Sequence, residues 1–143
     1  MKPLTVPGTL DALGTIREYV KDAAVAAGLD KKASYRLRLA VDEIATNIIV
    51  HGYAEAGLEG VVSLRADIDE ETLTISVEDT GVAYDPRRHE SPDDLDQPLE
   101  QREIGGLGVF LAIQNVDEFL YEYVEGRNRN ILVMDRPAVS VSE

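Results

Sequence analysis

The stretch from Tyr35 to His51, YRLRLAVDEIATNIIVH, constrains this chain more than any other. Leu37, Val41, Ile44 and Ile48 recur at three- and four-residue spacing, which gives a helix one apolar stripe. Glu43, Asn47 and His51 follow one another four residues apart, so they stack on a single flank beside that stripe, turn after turn. A helix that only packed would need no carboxylate and carboxamide aligned at the core boundary. A solvated polar edge would look the same, so the remainder of the chain must decide.

With 143 residues the chain fits one domain, 1–143, large enough to bury about 70% of its unfolded surface without a disulfide or structural metal. The absence of cysteine removes thiol nucleophiles and Cys-based zinc sites. A formal net charge of −13 argues against nucleic acid and anionic membranes as partners, because phosphate contacts need clustered Lys and Arg. Any bound phosphate must be neutralised locally, by a divalent cation, a few arginines or helix-end amides. The opening MKPLTVPG has no apolar signal core. No stretch approaches the roughly 18 apolar residues of a membrane span, so a soluble cytoplasmic protein is expected.

Leu4 to Val6 reads as a short edge strand between Pro3 and Pro7. From Thr9 a helical period runs through Leu13, Ile16 and Val20 to Gly28, a C-terminal cap; Asp30 then caps a second helix that ends near His51 and Gly52. Val62 to Ile68 and Leu73 to Val77 alternate as strands, and the short link Asp69–Glu71 makes them an antiparallel hairpin. Continuing the second strand's parity puts Asp79 on the apolar side, where a carboxylate is costly without a hydrogen-bonding partner, unless the strand ends and turns it to solvent. Residues 87–104 are long, acidic and aperiodic, as in a lid. A short helix over VFLAIQNV follows, then strands at Phe119–Val124 and Ile131–Met134 joined through a turn-like GRNRN, and a frayed tail from 137. This order gives an α+β two-layer sandwich, a mixed and mostly antiparallel sheet with helices on one face.

Three signals fall in one order: Glu43-Ile-Ala-Thr-Asn47 on a helix, Asp79-Thr-Gly81 with Tyr84-Asp85-Pro86 at a strand end, and Gly105-Gly106-Leu107-Gly108 between lid and helix. Together with the phrases LAVDEIATNIIVHGY and GGLGVFLAIQNVDEFLYEY, they resemble the Bergerat-fold ATP-binding domain of gyrase, Hsp90 chaperones and histidine kinases. The match is nearest to the small bacterial anti-sigma serine/threonine kinases, and it covers Leu4 to about Asp135.

The resemblance implies ATP and Mg²⁺ as cofactors. Asn47 would hold the Mg²⁺ and Glu43 would be the base for the attacking hydroxyl. Asp79 would accept from the adenine amino group, and Gly81 would let the backbone approach the ring. Gly105, Gly106, Leu107 and Gly108 would bring backbone amides to the phosphates, with Arg102 a lid cation on the γ-phosphate. The partners implied are a STAS-type anti-anti-sigma protein and a sigma factor, with room for a homodimer. Related kinases often carry Gly-Thr before the last strand, where Gly126 is here followed by Arg127, Asn128, Arg129 and Asn130. The acidic lid is a second departure. His51 reads as a helix-terminal residue on exposed carbonyls, and neither it nor His89 has the setting of a phospho-accepting histidine. Two other readings stand beside the kinase: a catalytically silent nucleotide-binding adaptor, and an aspartic protease suggested by Asp79-Thr80-Gly81, which this helix-rich chain does not favour.

Overall fold

In the computed structural model, residues 1–88 and 112–137 are described. Five strands form one sheet in the order β1-β2-β3-β5-β4: β1 (Leu4–Pro7), β2 (Val61–Ile68), β3 (Thr72–Asp79), β4 (Glu118–Val124) and β5 (Arg127–Asp135). All four pairings are antiparallel, so the sheet expected to be mixed has no parallel pair among the described residues.

Two helices cover one face. A 3₁₀ turn at Leu10–Ala12 leads into α1 (Leu13–Ala26), which ends on Gly28 in the left-handed region at φ 76. Asp30 caps α2 (Lys31–Asn47) as its spacing predicts, its carboxylate accepting from the Ala33 N–H at 2.8 Å. The helix does not stop at Gly52. It widens into a π-helical segment, Ile48–Ala54, whose amides reach back five residues, as in Glu55 N–H to the Val50 carbonyl at 2.9 Å.

The core lies between the helices and the inward face of the sheet. Leu37, Ala40, Val41 and Ile44 of α2 and Ile16 and Val20 of α1 meet Leu64, Leu73, Ile75, Val77 and Leu132, all fully or almost fully buried. Burying each such side chain contributes about 1.5–3 kcal/mol. The outward face carries ion pairs instead, with Arg129 between Glu78 and Glu122 at 3.0 Å each. Exposed pairs of this kind add little stability.

The last hairpin departs from the sequence expectation. Val124 pairs directly with Arg127, so the turn is only Glu125-Gly126, at φ 54 and 76, a conformation that suits a tight hairpin. Arg127 to Asn130 are therefore strand residues, with Asn128 and Asn130 facing the core beside Leu132 and Met134. Of the helix expected over 109–116, residues 112 and 113 are helical and the start lies outside the described residues. Apart from 87 and 88 the proposed lid also lies outside them, as do His89 and the tail from 138.

Candidate functional site

Period-2 alternation carries Asp79 to the inward side of the last β3 position, where it is 4% exposed and faces Val62 on one neighbour and Asn128 on the other. Its two oxygens fare differently. Oδ1 accepts from the Gly81 N–H at 2.9 Å and from Asn128 Nδ2 at 3.0 Å, whereas Oδ2 is buried with no partner among the described residues. Burial pushes the carboxyl above its ordinary pKa, and the two donors on Oδ1 offset part of that rise.

Beside Asp79 a cleft opens between α2 with its π-helical extension, the 81–86 loop and β5. Ile44, Ile48, Val82 and Pro86 form its apolar wall, with the polar groups of Asn47, His51, Asp79, Tyr84, Asn128 and Asn130 around it. Asn130 Oδ1 is a second buried acceptor with no partner among the described residues. Two unpaired acceptors on an apolar-walled cleft cost free energy in the empty protein and suit a ligand that brings N–H donors.

Local geometry fixes the loop after β3. A Cβ on Gly81 would lie 2.6 Å from the Gly52 carbonyl oxygen, so glycine is required there by the packing of the π-helical segment. This packing reason for a glycine is separate from the expected approach of its backbone to a ring. The Gly52 carbonyl accepts from Val82 N–H at 3.3 Å, tying the loop to the helix. Tyr53, fully buried, donates its hydroxyl to the Val61 carbonyl at 2.7 Å and accepts from the Thr80 N–H at 2.9 Å, which anchors the exit of β3.

Of the residues singled out in the sequence, Asn47 and Asp79 line one cleft and Gly81 holds the loop beside it. Glu43 stands one turn before Asn47 on the same flank, half-buried and not part of the cleft lining. His51 lines the cleft, and its Nδ1 meets Glu55 Oε1 at 2.7 Å, a side-chain partner in place of the helix-end carbonyls expected for it. Arg102, Gly105, Gly106, Leu107 and Gly108 lie outside the described residues. Sequence reasoning named Tyr84 within the loop motif and Asn128 and Asn130 in the last hairpin, but gave none of the three a role in the site. The signal for the asparagines was present, since they share the parity of Leu132 and Met134, as Asp79 shares that of Leu73, Ile75 and Val77. Among the described residues no three His, Asp or Glu side chains gather as a metal cage, and no helix is long and apolar enough to cross a membrane.

Comparison with known proteins places this architecture. Residues 6–136 match the family model of the histidine kinase-like ATPase domain. The serine-protein kinase RsbW of Listeria monocytogenes is 30% identical over 126 residues, covering 86% of this chain and 80% of that one. RsbW of Halalkalibacterium halodurans is 32% identical over 118 residues, covering 80% and 71%. Among solved structures, the Acinetobacter baumannii histidine kinase AdeS superposes with a TM-score of 0.50 at 13% identity, over 95% of this chain and 69% of that one. The chain spans 61% of the length of the histidine kinase domain from Erythrobacter litoralis EL346, with a TM-score of 0.47 and 23% identity. In this fold Asp79-Thr80-Gly81 ends a sheet strand against helices, which leaves no place for the aspartic-protease reading. The chain belongs to the histidine kinase-like ATPase domain family and, within it, to the small anti-sigma serine kinases of the RsbW type.

Proposed function

We propose that this protein is an ATP-dependent serine/threonine kinase and anti-sigma-type regulator that phosphorylates a small STAS-type antagonist protein, with a sigma factor as the alternative partner. The observation that carries the reading is the unpaired, buried Oδ2 of Asp79 in an apolar-walled cleft that Asn47 also lines. An adenine amino group supplies the donor this oxygen lacks, and the apolar wall suits the faces of the ring.

Asn47 offers a carboxamide oxygen, a donor suited to a hard cation, and would hold Mg²⁺ against the nucleotide phosphates. With no carboxylate cage among the described residues, most of the ion's ligands would come from phosphate and water. Bound there, the ion supplies charge neutralisation and alignment. The chain's own part is to seat the base on Asp79 and to keep Asn47 at the phosphate end. Glu43, one helical turn away, orients the partner's serine hydroxyl and takes its proton. On this reading Gly105, Gly106, Leu107 and Gly108 with Arg102 make the phosphate contacts and residues 87–104 act as the lid, all but 87 and 88 of them outside the described residues. The domain works as one unit over 1–143, in the cytoplasm, with a homodimer compatible with the reading.

Incubation with Mg-ATP labelled on the γ-phosphate and a lysate, followed by identification of the labelled small protein, tests the proposal. Transfer to a serine or threonine of one small protein is expected. ATP binding without transfer to any protein would instead support the silent adaptor.

A further inference from the structure

Asn128 ties together the elements around the candidate base site, and none of its hydrogen bonds is spare. Its Nδ2 donates to Asp79 Oδ1 at 3.0 Å and to the Val82 carbonyl at 3.0 Å, with the Gly81 carbonyl a longer 3.4 Å away. Its Oδ1 accepts from the Tyr84 N–H at 3.0 Å and from the Tyr121 hydroxyl. A carboxamide has two N–H donors and two acceptor positions. All four are filled here, by groups from β3, the loop after it and β4. Acceptors on one side and donors on the other fix which way the amide points, and the side chain is 3% exposed.

We infer that Asn128 is a positioning residue for base recognition: its amide holds Oδ1 of Asp79 and the loop at Val82, so that Oδ2 of Asp79 is the oxygen left unpaired beside the cleft. The inference rests on the nucleotide reading above and adds a residue that acts through Asp79 rather than on the ligand. Without Nδ2, the carboxylate keeps only the Gly81 N–H. Rotation about its Cβ–Cγ bond then no longer separates a saturated oxygen from a free one. A single hydroxyl at this position could not replace the asparagine, because it has one proton for Asp79 and Val82 together. Tyr121 contributes from the edge strand by holding the far end of the same amide.

The test compares ATP with the purine riboside triphosphate that lacks the 6-amino group, titrated into the parent, Asn128→Leu and Tyr121→Phe. Leucine keeps the shape of asparagine and removes all four hydrogen bonds. The parent should prefer ATP by about 10- to 100-fold, the value of one charge-assisted hydrogen bond. In Asn128→Leu the preference should fall to about threefold or less while affinity for the analogue stays near the parental value, and Tyr121→Phe should lie between. A parental preference in folded Asn128→Leu, or equal weakening of both nucleotides, overturns the inference. Should Asn128→Leu fail to fold, Tyr121→Phe decides, and an unchanged preference there overturns it. A parent with no preference sinks the reading of Asp79 as the base acceptor, and this inference with it.

Discussion

β3 and β5 run side by side with one inward face, yet its two ends have different chemistry. At one end Leu73 pairs with Met134 and Ile75 with Leu132; at the other, Val77 pairs with Asn130 and Asp79 with Asn128. Burial does not distinguish them, because Asp79, Asn128 and Asn130 are each 4% exposed or less, close to their apolar neighbours. What differs is completion. The apolar end is finished by contact with α1 and α2, whereas the polar end keeps two acceptors, Asp79 Oδ2 and Asn130 Oδ1, without donors among the described residues. An unpaired buried polar group costs about 1–3 kcal/mol. One end therefore stabilises the fold, and the other holds a cost that a ligand with matching donors relieves.

The largest effect expected is at the apolar end. Ile75→Ala should lower stability by roughly 2–5 kcal/mol through lost burial and the cavity left behind. Urea unfolding would show an earlier midpoint with an unchanged slope, while the folded fraction keeps its nucleotide affinity. Loss of affinity without loss of stability would break the comparison.

Next comes Glu43, which belongs to neither end. Glu43→Gln should bind ATP as the parent does, or slightly better, yet transfer phosphate at least about 100-fold more slowly if it acts as the base. Single-turnover transfer beside ATP titration measures both halves. A parental rate would place the base elsewhere.

Asp79→Asn sharpens the comparison from the polar side. With its oxygen kept toward Gly81 and Asn128, the new amide turns a donor to the adenine amino group, and ATP affinity should fall by about 10- to 100-fold. Stability should move the other way. A carboxyl whose folded pKa is raised favours folding most below its unfolded pKa. That contribution is lost as pH rises through the folded value, so at neutral pH the ionised group is a cost that asparagine removes. The nucleotide-free variant should melt no earlier than the parent. Earlier melting would make Asp79 a structural residue.

The smallest effect is at Asn47. Asn47→Ala should lose about tenfold in ATP affinity with Mg²⁺ present, the scale of one polar ligand, and less with EDTA. Equal losses by calorimetry in both conditions would remove the ion from its role.

The sequence disclosed the apolar end more fully than the polar one. Alternation in Leu73, Ile75 and Val77 pointed to strand, face and core together, and carried Asp79 inward by parity alone. The same alternation continues through Asn128 and Asn130, but Arg-Asn-Arg-Asn has the composition of a turn, and strand chemistry hid behind it. Cross-strand partners decided the matter: Asp79 opposite Asn128 is a pairing that no local pattern encodes. Gly52 misled for a related reason. Glycine commonly ends a helix, but here the chain continues by adding a residue to the turn, a choice made by tertiary contacts with Gly81 and Val82.

The ring of Tyr53 has a consequence for how this sequence can drift. A Cβ on Gly8 would stand 2.6 Å from it and one on Gly60 2.7 Å, so the ring fills the space where two other side chains would begin. Either glycine replaced alone meets the ring, and the tyrosine trimmed alone leaves a void and strips Thr80 N–H and the Val61 carbonyl of their shared hydroxyl. The three positions are therefore coupled: a side chain at 8 or 60 fits only beside a smaller residue at 53, so their substitution costs should be non-additive.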